Sequence, residues 1–112
     1  MAPPGNRTFS RYTRHAVRLL GLQVRTHRLE RGMSASELAE RAGISRDLLY
    51  RVEKGDPRVS LGVAFELAAI VGVTLFEAEA AALDARTRES EEKLKLLPKA
   101  VRKTSPEPPD DF

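Results

Sequence analysis

The chain has 112 residues and no cysteine, 31% of its residues are charged, and its net charge is +3. This length suits one domain, and the lack of cysteine excludes disulfide bonds and thiolate metal sites. No apolar stretch reaches the roughly 20 residues of a membrane span. Residues 1–10 also lack the apolar core of a signal peptide, so we expect a cytoplasmic protein without membrane contact.

The charge is distributed unevenly along the chain. Residues 1–58 hold 12 Lys and Arg against 6 Asp and Glu, residues 59–103 hold seven of each kind, and residues 104–112 hold three acidic residues and no basic one. A basic first half attracts polyanions, and arginine, which outnumbers lysine there 11 to 1, fits phosphates and guanine edges. Charge alone leaves two interpretations open, nucleic-acid binding and an arginine-rich solvated surface.

Apolar periodicity and capping residues predict an all-α chain with five helices. The predicted helices cover residues 13–31, 36–42, 46–54 and 60–71, and a fifth helix follows a capping Thr74 and continues to Pro98. We expect a flexible arm over residues 1–12, a helical domain over 13–83, a helical extension over 84–103 and a disordered acidic tail over 104–112.

Residues 34–55 have the pattern of two short helices that meet at a tight turn. Ser34 and Glu37 form a capping box that starts the first of these helices. Gly43 suits the positive φ that a tight turn requires, and the small Ala39 lets the two helices approach each other. The outer face of the second helix then carries Ser45, Arg46, Asp47, Tyr50 and Arg51.

The run of residues 33–45, Met-Ser-Ala-Ser-Glu-Leu-Ala-Glu-Arg-Ala-Gly-Ile-Ser, resembles the helix-turn-helix of the Xre/Cro/phage-repressor family. Leu49, Val52 and the Glu-Lys-Gly of residues 53–55 extend the resemblance, which covers residues 16–76. It implies that residues 13–83 form a lambda-repressor-like, five-helix DNA-binding domain with an extended fifth helix. It also implies binding to double-stranded operator DNA as a homodimer.

In that family the second helix of the motif enters the major groove with its N-terminal end first. The resemblance therefore implies base contacts from one set of side chains and phosphate contacts from another. The implied base contacts come from Ser45, Arg46, Asp47, Tyr50 and Arg51, and the implied phosphate contacts come from Ser36, Lys54 and Arg58.

At three positions of the motif, the contact that the side chain would make is not settled by the sequence. Asp47 either accepts a hydrogen bond from a cytosine amino group or holds Arg51 through an i,i+4 contact, and we favour the second. Tyr50 either touches a phosphate or a thymine methyl group, or is partly packed. Ala35 stands where the family commonly has a glutamine that contacts phosphate and supports the first base-reading side chain, so the contact pattern departs from the family's.

The resemblance further implies an internal ion pair between Arg28 and Glu53, which would join the first helix to the end of the third. A partly buried charge needs a partner, which favours the pair over two separately solvated charges. The fourth helix is more apolar than a small core requires. Its excess predicts either a two-fold dimer interface or a wider core closed by the fifth helix.

Two segments near the C-terminus are similar to HipB-like antitoxins: residues 95–99, Lys-Leu-Leu-Pro-Lys, and the closing Asp-Asp-Phe of residues 110–112. This resemblance implies a repressor of its own operon that binds a HipA-like kinase toxin, with Phe112 as an anchor in the partner. The alternatives are a stand-alone Xre-family regulator and a toxin-binding module without DNA binding.

Residue patterns typical of enzymes do not occur in the sequence. His15 and His27 are the only histidines, and they lie about 18 Å apart along one predicted helix, which is too far for a shared metal ion. Phosphate-binding glycine loops and nucleophile–base arrangements are also absent. We therefore expect no catalytic residue, no metal site and no cofactor.

Overall fold

The structure is a computed structural model that describes residues 8–101. Within them lie five α-helices and no β-strand: α1 Arg11–Glu30, α2 Ala35–Ala42, α3 Arg46–Glu53, α4 Leu61–Val71 and α5 Ala80–Lys95. The predicted all-α, five-helix fold is confirmed. Most of the predicted arm and all of the predicted tail lie outside the described residues.

Serine side chains cap the first four helices. Ser10, Ser34, Ser45 and Ser60 each accept a hydrogen bond from the backbone amide three residues further on, at 3.1–3.3 Å. These bonds satisfy amide groups that have no partner inside the helix. The cap at Ser10 was not predicted, and it explains why α1 begins at Arg11, two residues before the expected start.

The predicted start of the fifth helix at Thr74 is wrong. Residues 75–79 are irregular and contain several bends, and α5 begins at Ala80 after Glu79, whose side chain makes no capping hydrogen bond. Val73, Thr74 and Phe76 have poor helix propensity, whereas the alanines of residues 80–82 have the best. Helix formation therefore starts at the alanine run.

The core lies among α1, α2, α3 and α4, which pack against one another. Its fully buried side chains come from all four helices, namely Val24, Leu38, Leu49, Leu67 and Val71. Much of the apolar content of α4 is used here, since Val63 and Ile70 also pack against this core. Leu61, at the start of α4, stays 73% exposed.

A close approach between α1 and α3 fixes the orientation of the third helix. Gly21 of α1 is buried, and a Cβ atom at this position would lie 2.9 Å from the carbonyl oxygen of Glu53 and nearer still to that of Val52. Real Cβ atoms do not come so close to backbone oxygens. The crossing therefore requires a glycine at position 21, because only a residue without a side chain lets the last turn of α3 lie so close to α1.

Packing divides the chain after Leu75 into two units, of which the first holds α1 to α4 and the second holds α5. No residue of α5 is buried. Among the described residues, no helix combines the length and the apolar character that crossing a membrane requires.

Candidate nucleic-acid interface

The turn between α2 and α3 is built by backbone hydrogen bonds around one left-handed glycine. Gly43 has a φ of 71°, and the amide of Ile44 donates to the carbonyl oxygen of Ala39 at 3.0 Å. Ala39 is buried where the two helices meet. Ser45 then starts α3 by accepting from the amide of Leu48 at 3.1 Å. The direction of α3 relative to α2 is thus fixed by three residues of turn.

Helix α3 has one buried face and one exposed face. Leu49 and Val52 lie in the core, with 0% and 5% exposure. The opposite face carries the five side chains that were predicted to read bases, and all five are exposed: Ser45, Arg46, Asp47, Tyr50 and Arg51. A duplex groove could therefore reach these side chains without any rearrangement of the first unit.

A hydrogen bond joins two predicted contact residues across the helix-turn-helix. Arg46 donates from Nη1 to Oγ of Ser36 at 3.4 Å, and so the first turn of α3 is linked to the first turn of α2. Ala35, at the position where the resemblance expects glutamine, is half-buried against the core. Ser36 is consequently the side chain of α2 that supports Arg46.

The favoured contact between Asp47 and Arg51 is wrong. Arg51 instead donates from Nε to Oδ2 of Asp56 at 2.9 Å. Asp56 follows α3 directly after Gly55, whose φ of 84° turns the chain back toward the helix. Asp47 is exposed in the first turn of α3, where the positive end of the helix dipole favours a carboxylate. The other interpretation of Asp47, an acceptor for cytosine, stays a prediction.

Asp56 also holds Arg58, one of the predicted phosphate-contacting residues. Its Oδ1 atom accepts from the amide of Arg58 at 2.9 Å and from Nε of the same residue at 3.1 Å. The hydrogen bonds from the Arg58 amide and side chain, aided by Arg51, hold the pKa of Asp56 well below its ordinary value. The role of Asp56 was not predicted from the sequence, although an Asp-Pro pair after a glycine is a known turn signal.

We expect Asp56 to make stability depend on pH in the acid range. Because its pKa is lowered in the folded state, its stabilisation is present above the unfolded pKa of about 3.9 and is lost as pH falls toward the folded pKa. Asp56→Asn should therefore lower the free energy of unfolding at pH 7. The difference in this free energy between the wild type and the variant should shrink as the pH falls from 4 to 2. Urea unfolding at both ends of that range measures the difference, and a constant difference would contradict the assignment.

A buried ion pair supports the end of α3 from inside. Arg28 donates from Nε to Oε2 of Glu53 at 2.7 Å and from Nη2 to Oε1 at 3.1 Å, and its Nη1 atom donates to the carbonyl oxygen of Met33 at 3.1 Å. The two side chains are only 6% and 2% exposed. The hydrogen bond to Glu53 raises the pKa of Arg28 above its ordinary value. The structure thus brings together the pair that the resemblance implied.

Of the remaining predicted residues, Lys54 is among the residues that the structure describes and Phe112 is not. Lys54 is exposed at the C-terminal end of α3, two residues before Asp56. Phe112 lies outside the described residues. Within residues 8–101, no three His, Asp or Glu side chains form a group that could hold a metal ion.

Comparisons with known proteins show the family to which the chain belongs. A family model described as a helix-turn-helix domain matches residues 19–83. A protein of Pyrococcus abyssi named as a putative HTH-type transcriptional regulatory protein is 47% identical over 51 residues, which are 46% of this chain and 16% of that protein. A protein of Methanothermobacter thermautotrophicus named as an uncharacterized HTH-type transcriptional regulator is 41% identical over 49 residues, which are 44% of this chain and 71% of that protein.

The matches differ in how much of each relative they cover. The alignment spans less than a fifth of the Pyrococcus protein and more than two thirds of the Methanothermobacter protein. No solved structure matches the chain significantly. The family model covers more than half of the chain, including all of α2, α3 and α4. The chain therefore belongs to the helix-turn-helix domain family.

Proposed function

We propose that the protein is a sequence-specific, DNA-binding transcriptional regulator that inserts α3 into the major groove of operator DNA. The observation that carries this proposal is the exposed, arginine-bearing face of α3, which is held rigidly by the turn, by Gly21 and by the Arg28–Glu53 pair. The names of the relatives support the same function. A regulator of this kind works where the DNA is, and we accordingly place it in the cytoplasm.

The dimensions of α3 suit direct readout of bases. The major groove is about 12 Å wide and admits an α-helix. Arg46 and Arg51 are five residues apart, which along a helix is about 7.5 Å or two base-pair steps. Each arginine can grip the O6 and N7 atoms of a guanine with two donors. Ser36, Lys54 and Arg58 would bind flanking phosphates.

We further propose that two copies bind a palindromic operator and repress transcription from it. A two-fold dimer would place its recognition helices about 34–36 Å apart, one turn of the duplex. The exposed apolar surface outside the core supports an interface between copies. Dimerisation also doubles the number of phosphate contacts, which strengthens binding and its dependence on salt.

The HipB-like segments support a more specific role, as the antitoxin of a HipA-like kinase toxin that represses their shared operon. A stand-alone Xre-family regulator is the alternative. Deleting residues 106–112 separates the two roles when the full and shortened chains are co-expressed with a kinase encoded beside the gene. The antitoxin role predicts that the full chain co-purifies with the kinase and that the shortened chain does so less. Equal co-purification of the two chains would contradict the Phe112 anchor but not kinase binding, and absence of co-purification for both chains favours the alternative.

DNA binding itself is tested by fluorescence anisotropy with a labelled duplex from upstream of the protein's own gene. We expect tighter binding than to a scrambled duplex, and an affinity that falls at least about tenfold between 50 and 200 mM salt because phosphate contacts release counterions. Equal affinity for both duplexes would contradict sequence-specific binding, and no measurable binding to either duplex would favour the toxin-binding module without DNA binding.

A further inference from the structure

Helix α5 carries an exposed apolar stripe. Leu83 is 44% exposed and Leu94 is 68% exposed, and Leu97, just after the helix, is 51% exposed. No residue between Ala80 and Lys95 is buried. A single helix of this length is marginally stable in water unless an apolar face is covered. The stripe therefore calls for a partner.

The spacing of the stripe is that of a coiled coil. Steps of three and four residues place its members at the a and d positions of consecutive heptads. Within α5 the a positions are Ala80, Thr87 and Leu94 and the d positions are Leu83 and Ser90, while Phe76 and Leu97 lie just outside the two ends of the helix. A shallow groove of about 360 Å³ runs along this face, lined by five of these residues together with Arg86 and Glu91.

The two polar members of the stripe are compatible with burial between helices. Thr87 donates its hydroxyl hydrogen to the carbonyl oxygen of Leu83 at 3.0 Å, so its donor is already satisfied within the helix. Ser90 is small enough to let two backbones approach. A core of leucines with a small polar centre is expected to give a weak and reversible association rather than an obligate one.

Charged residues beside the stripe determine which partner helix is favoured and whether it runs parallel or antiparallel to α5. Arg86 occupies a g position and Glu91 the e position of the next heptad, so two parallel copies of α5 would form two equivalent Arg86–Glu91 pairs between chains. Two antiparallel copies would instead bring Asp84 near Glu91 and Arg86 near Lys93, which are like charges. The parallel pair has one kind of unfavourable contact, Glu79 with Asp84, which occurs twice at the exposed start of the helix.

Arg86 can pair with Glu91 of a second copy at a small cost in free energy. In the single chain it donates to Glu77 at 3.0 Å, and its side chain is 57% exposed. Exposed ion pairs contribute about 0–1 kcal/mol. Exchange of Glu77 for Glu91 of a second copy is therefore close to neutral, and it is accompanied by burial of the leucines.

We propose that α5 is a dimerisation surface whose partner is α5 of a second copy, aligned in parallel so that residue 90 of one copy faces residue 90 of the other. This inference rests on the homodimer of the proposed function and names the surface that forms it. It does not depend on DNA, and its tests are therefore done without DNA.

The register is tested by a single cysteine in a chain that otherwise has none. Under mild oxidation Ser90→Cys should form a covalent dimer readily, because d positions of a parallel pair lie within disulfide distance. Glu92→Cys, at an outward f position, is the matched control and should cross-link slowly. Equal rates for the two variants would overturn the proposed register.

The charge pattern is tested by reversal, with dimerisation measured by analytical ultracentrifugation. Arg86→Glu alone and Glu91→Arg alone should each weaken dimerisation about tenfold or more, because two attractive pairs become repulsive. An equimolar mixture of the two variants, and the double variant Arg86→Glu/Glu91→Arg, should both restore it. Circular dichroism verifies that α5 remains helical in every variant.

Three results would contradict this proposal. Tighter dimerisation of Arg86→Glu would indicate an antiparallel pair, since the introduced carboxylate would then face Lys93. Unchanged dimerisation of both single variants would place the interface elsewhere, and a wild-type chain that stays monomeric would remove it. If the chain binds its operator but fails these tests, the proposed function stands without this surface. If the chain cross-links as predicted but does not bind DNA, the dimerisation surface stands and the proposed function fails.

Discussion

Replacing Glu53 with alanine should lower the free energy of unfolding by about 3–5 kcal/mol, the range observed when one partner of a buried ion pair is removed. The carboxylate is 2% exposed and accepts two hydrogen bonds from Arg28. Without it, the Arg28 guanidinium keeps only the carbonyl oxygen of Met33 as a partner in the core. Urea unfolding followed by circular dichroism measures the loss.

Glu37→Ala is the matched control for this experiment. Glu37 also pairs with an arginine, but its contact to Arg41 is 3.5 Å long and both side chains are about half exposed. We expect a loss of less than about 1 kcal/mol there. If Glu53→Ala costs no more than Glu37→Ala, the pair does not stabilise the end of α3 in the way described. An apolar double replacement, Arg28→Met/Glu53→Leu, should recover much of the stability, since it leaves no buried charge.

Replacing Gly21 with alanine should lower stability by about 1–3 kcal/mol, although alanine is the better helix former by about 1 kcal/mol. The added methyl group would meet backbone oxygens of Val52 and Glu53, which cannot move away as a side chain could. Relief requires α1 and the end of α3 to separate. The variant should therefore also bind DNA more weakly than its loss of stability alone explains.

Gly62→Ala provides the comparison for Gly21→Ala. Gly62 lies in the first turn of α4, and a Cβ atom there would meet no atom within 4 Å. This substitution should leave stability unchanged or raise it by a few tenths to about 1 kcal/mol. A Gly21→Ala protein that is as stable as Gly62→Ala would mean that the two helices do not cross as closely as described.

Helices α2 to α4 could be predicted from the sequence because their ends are marked locally. Ser34, Ser45 and Ser60 stand where a side chain must accept an orphan amide hydrogen, and Gly43 and Gly72 stand where the chain turns left-handed. These requirements are local, and a single sequence carries them. The start of α5 has no such mark, since its N-cap residue makes no capping bond.

The unpredicted residues depend on contacts between distant parts of the chain. In the sequence, Gly21 is simply a poor helix former, and its role follows only from the close approach of α1 to the end of α3. Arg51 has an acidic residue four positions earlier and another five positions later. Local helix rules favoured Asp47, but the turn at Gly55 brings Asp56 closer. The outward direction of the α3 arginines was predictable, because it follows from which residues of α3 are apolar.

The most direct test of the account is the base preference of Arg46 and Arg51, measured by selecting binding sites from a pool of random duplexes. The wild-type chain should enrich one palindromic sequence. Arg46→Ala/Arg51→Ala should lose that preference while keeping its fold and weak, salt-dependent binding. Arg88→Ala/Lys95→Ala, which removes the same charge from α5, should keep the preference. If the first double variant selects the same sequence as the wild type, α3 does not read the bases and the central claim is contradicted.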